Sequence, residues 1–286
     1  MPRAPRVPCA VAADVAFCPD PTGAVHRARV TGEDNRIVAS SRTGSRVAAA
    51  AFAGAHAALA YLASRKTSEG WVSEAWLAID DDLPVRLSED GSGATAVDLA
   101  SRGASLLALT IDARTALTAM HARSIDFEHP ARLGEDAVLF VGGPGDRRTA
   151  ATLAISTAGP AWALLPIAKD TVDFGLATVR IDDPPRVDEP VVWSMYPNGL
   201  DPAPIASASG AGRTWVARVR PGAAAPGAPQ ILEVGDLGAD GAFAPRAVLP
   251  TADAPGDVSL ALDSHAALWV AWMDSSGSWV ERLACR

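Results

Sequence analysis

The densest carboxylate runs in the chain are Asp80-Asp81-Asp82 and Asp182-Asp183, and side chains of this kind hold hard cations or supply acids and bases. Calcium needs several further oxygen ligands, and neither run brings them. Each run follows an isoleucine, Ile79 and Ile181, and Asp favours turns because its carboxylate bonds nearby backbone N–H groups. A turn role is therefore expected. The histidines are His26, His56, His121, His129 and His265. His56 and His265 each open a His-Ala-Ala-Leu stretch, and a repeated position also points to a turn. Cys9, Cys18 and Cys285 show no Cys-x-x-Cys or Cys/His spacing for zinc, so neither metal nor cofactor is expected. Gly142 to Thr149 has glycines but not the Gly-Lys-Ser/Thr ending of a phosphate loop, and no Gly-x-Ser-x-Gly elbow occurs. Trp162, Trp215 and Trp269 fall at matching places in apolar runs and are expected in the core. Trp193 and Tyr196, beside the Pro197-Asn198-Gly199 turn, read as a surface aromatic pair that could anchor a peptide or sugar.

These residues sit in a chain of 286, with 25 basic against 33 acidic groups, a net charge of −8 and 49% hydrophobic residues. No basic stripe is present, which speaks against nucleic acid and against an anionic membrane surface. Only Lys66 and Lys169 are lysines, a bias that with the alanine abundance suggests a GC-rich bacterial genome and discounts Ala as a helix signal. The first residues are charged, but Pro8 and Asp14 break the apolar stretch, so no signal peptide is read. The chain is expected to be extracytoplasmic, periplasmic or secreted, if a leader was removed, and cytoplasmic otherwise. Val47–Ala63 lacks a formal charge and reaches the lower limit for a membrane helix, yet it is mostly Ala and contains Gly54. A hairpin is expected there, with no membrane insertion.

Positioning comes from a repeat. Ile79 to Asp90 and Ile125 to Asp136 share the pattern I-D-x-x-x-P-x-R-L-x-E-D, and Ile181 to Glu189 carries a shorter copy. Before each copy an apolar run, a small-residue turn and a second apolar run recur, turning at Gly54, Gly103, Gly159, Gly212 and His265. A third run precedes the Asp turn, and the Pro-x-Arg-Leu segment is the fourth. Four short runs in roughly fifty residues predict a four-stranded antiparallel unit. Pro84 and Pro130 suit the start of an outer strand, where a missing N–H breaks no ladder.

On this repeat the chain resembles the β-propeller superfamily. The resemblance is architectural: Trp-Asp endings and kelch glycine pairs are missing, and Asp274 to Trp279 departs by one residue from the sialidase Asp box. It implies an all-β, six-bladed β-propeller of four-stranded blades, with five or seven as alternatives, forming a single domain over 1–286. The blades run over about 6–44, 45–91, 92–145, 146–200, 201–254 and 255–286. The last has three evident runs, so residues 1–8 are the candidate for its outer strand. Ring ends are neighbours, which makes a disulfide from Cys285 to Cys9 or Cys18 a candidate, worth about 5 kcal/mol for so long a loop.

In such a fold the D–A and B–C connections converge on one face, and function resides on loops. The candidate rim is Arg42, Arg46, Asp90, Asp146, Arg147, Arg148, Tyr196, Asn198 and Asp257, joined from the B–C side by Arg65, Lys66, Glu69, Arg114 and Asp274. Both charge signs and an aromatic suit polar recognition. The expected function is a monomeric, non-catalytic binding or scaffold module for a protein, peptide or glycan. The alternative is a glycosidase-like hydrolase or lyase with paired carboxylates, Asp90, Asp146 and Asp257, at a channel mouth.

Overall fold

The structure is a computed structural model that describes residues 10–12, 15–19, 24–29, 36–40, 47–52, 56–80, 82–102, 105–113, 119–126, 133–141, 152–155, 161–169, 173–181, 191–197, 205–210, 212–223, 228–263 and 265–283. Among these residues there is strand and turn but no helix. The chain divides into two compact units, Met1–Gly145 and Asp146–Arg286. Among the described residues each unit holds three sheets, and every sheet is an antiparallel meander in chain order.

In the first unit, sheet 1 is β1 (Ala10–Ala12), β2 (Val15–Pro19), β3 (Ala24–Arg29) and β4 (Arg36–Ser40). Sheet 2 is β5 (Ala48–Phe52), β6 (His56–Thr67), β7 (Gly70–Ile79) and β8 (Val85–Arg86). Sheet 3 is β9 (Ala94–Arg102), β10 (Ser105–Asp112), β11 (Ala119–Asp126) and β12 (Leu133–Val141). β6 explains the uncharged stretch that opens the repeat. Its even residues Ala58, Ala60 and Leu62 pack with Ala75, Leu77 and Ile79 against Val97, Leu99, Leu106 and Ala108 of sheet 3. Its odd residues Ala57, Leu59 and Tyr61 pack against Val15, Phe17 and Val25 of sheet 1. A strand covered on both faces needs an unbroken apolar run rather than alternation. The alanines are strand residues here because tertiary packing overrides helix propensity.

In the second unit, sheet 4 is β13 (Thr152–Ile155), β14 (Ala161–Lys169), β15 (Asp173–Ile181) and β16 (Val191–Pro197). Sheet 5 is β17 (Ile205–Gly210), β18 (Arg213–Pro221), β19 (Gln230–Leu237) and β20 (Phe243–Leu249). Sheet 6, three-stranded among the described residues, is β21 (Asp257–Leu262), β22 (Leu268–Asp274) and β23 (Gly277–Leu283). β18 repeats the two-sided burial: Val216 packs with Trp162 and Leu164, while Trp215, Ala217 and Val219 pack with Leu268, Val270 and Trp272.

Trp162 and Trp215 are buried as expected, but Trp269 is 38% exposed. It stands on the last sheet of its unit, with no following sheet in that unit to cover it. Its indole Nε1 donates to Asp263 Oδ2 at 3.1 Å and the Arg282 guanidinium lies 5.8 Å from its ring centre. Trp193 and Tyr196 were expected beside a surface turn. They lie within β16, with Tyr196 opposite Phe174, because the ladder continues to Pro197.

The recurrent Asp turns tie strands together. Asp80 takes a left-handed φ of 46°, its Oδ1 accepts Ala57 N–H at 3.0 Å, and its Oδ2 meets His56 Nδ1 at 2.5 Å. Asp263 Oδ1 likewise accepts the N–H groups of His265 and Ala267, both at 2.9 Å. His56 and His265 thus mark hairpin turns. Asp182, Asp183, the Gly142–Thr149 loop and residues 1–8 lie outside the described residues. Cys18, on β2, is disulfide-bonded. Cys9 and Cys285, the other residues of the expected pairing, lie outside the described residues.

Two tests follow from these contacts. Gly241 has φ +78°, and a Cβ there would stand 2.6 Å from Trp162 and 2.9 Å from Thr178 Oγ1. Gly212, at φ +75°, has open space around it. Denaturant titration should show Gly241→Ala losing about 3 kcal/mol and Gly212→Ala only about 1. Equal losses would mean that φ alone, not the inter-sheet contact, fixes Gly241. In protein matured under oxidising conditions, non-reducing peptide mapping should recover the Cys18 peptide joined to that of Cys9 or Cys285. Cys18 found as a free thiol would contradict the disulfide.

Candidate functional site

One end of the first unit collects the charges that its sheets exclude. The connector from β8 to β9, Leu87–Gly93, reaches this end. So does the close of β10, because Ala94 at the start of β9 pairs with Asp112. The β6–β7 hairpin turns here as well, pinned by Thr67 Oγ1, which donates to Gly70 O at 3.0 Å and accepts Glu69 N–H at 3.2 Å. This tight turn carries the ladder to Thr67 opposite Gly70, so Arg65 and Lys66 are strand residues rather than the loop residues expected.

Glu74 on β7 is the anchor. Its side chain is fully buried, yet it faces three donors. Its Oε1 accepts Arg65 Nη2 at 3.0 Å and Gly91 N–H at 3.2 Å, and lies 3.5 Å from Arg86 Nη1. Burial pushes this carboxyl up, but Arg65, Gly91 and Arg86 outweigh burial and hold it below the usual carboxylate range. The same two arginines reach outward to Asp90. Arg65 Nη2 donates to Asp90 Oδ1, and Arg86 Nη1 stands 3.2 Å from it. The Asp90 side chain is 65% exposed, that of Arg65 47% and that of Arg86 37%.

A second group lies on sheet 3. His121 on β11 bonds Asp136 Oδ2 of β12 through Nδ1 at 2.8 Å, and Arg123 Nη2 stands 3.3 Å from the same oxygen. His121 Nε2 is 3.8 Å from Asp112 Oδ2, beyond hydrogen-bond reach. The ladder shifts between Ile111 and Asp112, between Met120 and His121, and between Arg123 and Ile125. Such irregularities re-aim side chains at strand ends. Burial pushes the Asp112 carboxyl up to about 6 against the opposing pull of His121. The Asp136 hydrogen bond raises the His121 imidazole above its ordinary value. Asp136 itself is driven up by burial but down more strongly by His121 and Arg123, and ends below the usual range. Ser92 in the connector is close enough to favour ionised Asp112. Even so, Ser92 Oγ and Asp112 Oδ1 are both buried and neither closes a regular hydrogen bond.

Of the rim read from sequence, Asp90 lies in this site. Tyr196 and Asp257 are strand residues of the second unit, Asp257 opening β21 opposite Met273. Arg42, Arg46, Arg114, Asp146, Arg147, Arg148 and Asn198 lie outside the described residues. Asp274 is consumed locally: it accepts Ser276 N–H at 2.9 Å, Trp279 Nε1 at 3.1 Å and Ala252 N–H at 3.1 Å, and is held well below the usual range, with the Ser276 hydroxyl as the largest cause. Glu74, Asp112, His121 and Asp136 were not singled out in the sequence. A glutamate inside Trp71–Ile79 and an aspartate closing the apolar run Ser105–Asp112 were the available signals.

The signs of these shifts define a pH test. A carboxyl raised in the fold binds protons more readily there than in the unfolded chain, so its stabilising share is lost as pH rises through the window from about 4 to 6. Raised His121 contributes below its unfolded value and loses that share as pH rises through its folded value. Lowered Asp136 contributes above its unfolded value and loses that share in acid. Asp112→Asn removes the first penalty, with His121, Asp136, Ser92 and Glu89 still facing the position. Urea titration should show it about 1 to 2 kcal/mol more stable than the parent at pH 8, converging by pH 4. A variant less stable than the parent at pH 8 would mean that Asp112 is already satisfied.

No family model matches the chain, and no curated protein matches it. Solved structures do. A subtype N10 neuraminidase-like protein of A/little yellow-shouldered bat/Guatemala aligns with a TM-score of 0.57 and 8% identity, covering 97% of this chain and 94% of that one. A sialidase of Trypanosoma rangeli gives 0.55 and 10%, covering 96% of this chain but 53% of that one. The fucose-specific lectin of Aleuria aurantia gives 0.53 and 10%, covering 96% and 94%. At such identities the likeness concerns the fold alone. With its succession of antiparallel meanders, the chain has the β-propeller fold of these structures.

Proposed function

We propose that the chain is a non-catalytic recognition propeller that takes a polar ligand, a glycan before a peptide or protein, at the loop end of its first unit. The observation that carries this is the Glu74 anchor. A buried carboxylate fixes Arg65 and Arg86 from behind while their side chains stay 47% and 37% exposed beside exposed Asp90. Donors and an acceptor held in place before a ligand arrives lose little entropy on binding. Arginine forks suit paired oxygens, as hydroxyls or carboxylates present them.

A glycosidase needs one carboxyl that holds a proton and one that stays free to attack or to activate water. Glu74 and Asp90 both answer to arginines, which keeps them as acceptors in ion pairs. The lectin among the structural neighbours is named for fucose and the sialidase for sialic acid, which makes glycans the first probes. The Cys18 disulfide supports maturation in an oxidising compartment, where glycans are met.

The test is a glycan array read with the full chain, with Arg65→Ala and Arg86→Ala, and with Arg246→Ala as a control. Exposed Arg246 bonds Asp236 at 2.6 Å in sheet 5, away from the site in sequence and unit. Bound glycans should be held at least about tenfold more weakly by the first two variants and unchanged by the control. Release of reducing sugar from any bound glycan, abolished by Asp90→Asn, would replace recognition by hydrolysis.

A further inference from the structure

We propose that Asp112 Oδ1, Ser92 Oγ and His121 Nε2 form a seat for a neutral vicinal diol, as a monosaccharide ring presents it. The proposal rests on the recognition reading above and assigns it a subsite and a ligand class.

The starting point is an imbalance. Asp112 and Ser92 are 7% and 2% exposed, and each holds a buried polar atom with no regular hydrogen bond. Such atoms cost free energy unless something supplies a partner. They come from different segments, the end of β10 and the β8–β9 connector, and lie side by side. His121 Nε2 completes the group. Its Nδ1 is committed to Asp136, and Nε2 stands too far from Asp112 to bond it, at 3.8 Å. His121 Nε2 and the Asp112 carboxyl therefore face each other without bonding, and Ser92 Oγ lies beside that carboxyl without regular hydrogen-bond geometry.

Charge decides what fits. Asp112 and Asp136 are matched by His121 and Arg123 on neighbouring strands, with Glu89 more exposed at the connector. An ammonium group would stand beside His121 and Arg123, and a carboxylate beside Asp112 and Asp136. Either adds a like-charge contact in a poorly solvated place. Four oxygen ligands for a metal are not assembled here: among the described residues no group of three acidic, His or Cys side chains is placed to hold an ion. A neutral hydroxyl pair meets each need. One hydroxyl donates to Asp112 Oδ1, its neighbour accepts from His121 Nε2–H, and Ser92 Oγ turns to serve either. Hydrogen bonds to a desolvated carboxylate are the stronger kind, which gives a small ligand useful affinity.

The experiment follows the His121 imidazole by proton–nitrogen NMR in the full chain while D-glucose, D-galactose, D-mannose or L-fucose is added. D-glucosamine and D-glucuronate serve as charged comparisons. At least one neutral sugar should move the His121 ring signals saturably and more tightly than either charged analogue. Asp112→Asn and Ser92→Ala, each shown folded by unchanged circular dichroism, should weaken that binding at least about tenfold. Sugars that bind both variants as they bind the parent would overturn the seat and leave recognition at Arg65 and Arg86 standing. Tighter binding of glucosamine or glucuronate would overturn the neutral-diol assignment. Unmoved His121 signals with every sugar, alongside a positive glycan array, would overturn the seat alone. A negative array together with unmoved signals would overturn both readings.

Discussion

Burial of single strands on both faces is the constraint from which the remaining structure follows. In β6 the side chains that point one way meet sheet 3 and those that point the other way meet sheet 1. Packed sheets stand about 10 Å apart, so small and medium residues interleave without a polar partner for company. Charge inside such a strand then needs a charged partner, and otherwise it falls at strand ends and in the connectors beyond them. Asp80 and Asp263 take turns at one end of their hairpins, and Arg65, Asp90 and Asp112 gather at the other. A site in this fold is less a feature added to the blades than the place where their apolar rule lapses.

Glu74 and Glu233 show two outcomes of breaking that rule. Each faces a residue on the neighbouring strand, Ala63 or Arg218, and each is bonded by the arginine two positions further on, Arg65 or Arg220. Glu233 also accepts Arg218 Nε and Nη2 at 2.9 and 2.7 Å, and Arg218 lies 4.3 Å from the Phe243 ring centre. That group is closed on itself, with Arg218 only 6% exposed. Breaking either pair would strand a buried charge, a loss of about 3 to 5 kcal/mol. The Glu74 group spends the same device differently, because its arginines remain partly open and continue to Asp90. One arrangement holds a sheet together and the other presents groups to solvent.

The repeat made the architecture legible because four apolar runs between turns leave few alternatives once Ala is discounted. It also placed the turn at Asp80, whose carboxylate caps the neighbouring strand. Asp90 was legible as a rim residue because it stands in a connector that opens on the face where loops converge. Glu74 was not, because a charged residue within Trp71–Ile79 reads as an outward strand position until Gly91 and two arginines are seen around it. His121 and Asp136 escaped for a related reason. They are diagonal across a ladder whose register slips at Met120/His121, and no pattern of period two foretells a slip. Trp269 failed in the other direction: its position matches Trp162 and Trp215, but burial belongs to the neighbouring sheet and not to the residue's own strand.

Asp112 brings these strands of argument to one point. The turn acids Asp80, Asp263 and Asp274 each accept two or more donors, and their carboxyls sit below the ordinary range. Asp112 is more deeply buried than these, has one oxygen without a donor, and is pushed the other way. The local backbone does not require a carboxylate there: the bulge at Ile111/Asp112 and the bond from Ala113 N–H to Gly93 O are made by backbone alone. Asparagine would fill the same volume without the burial penalty. A group that weakens the fold above its own titration, and that the fold does not use, is what a preorganised binding site requires, since the stability forgone is recovered when a ligand supplies the missing donor.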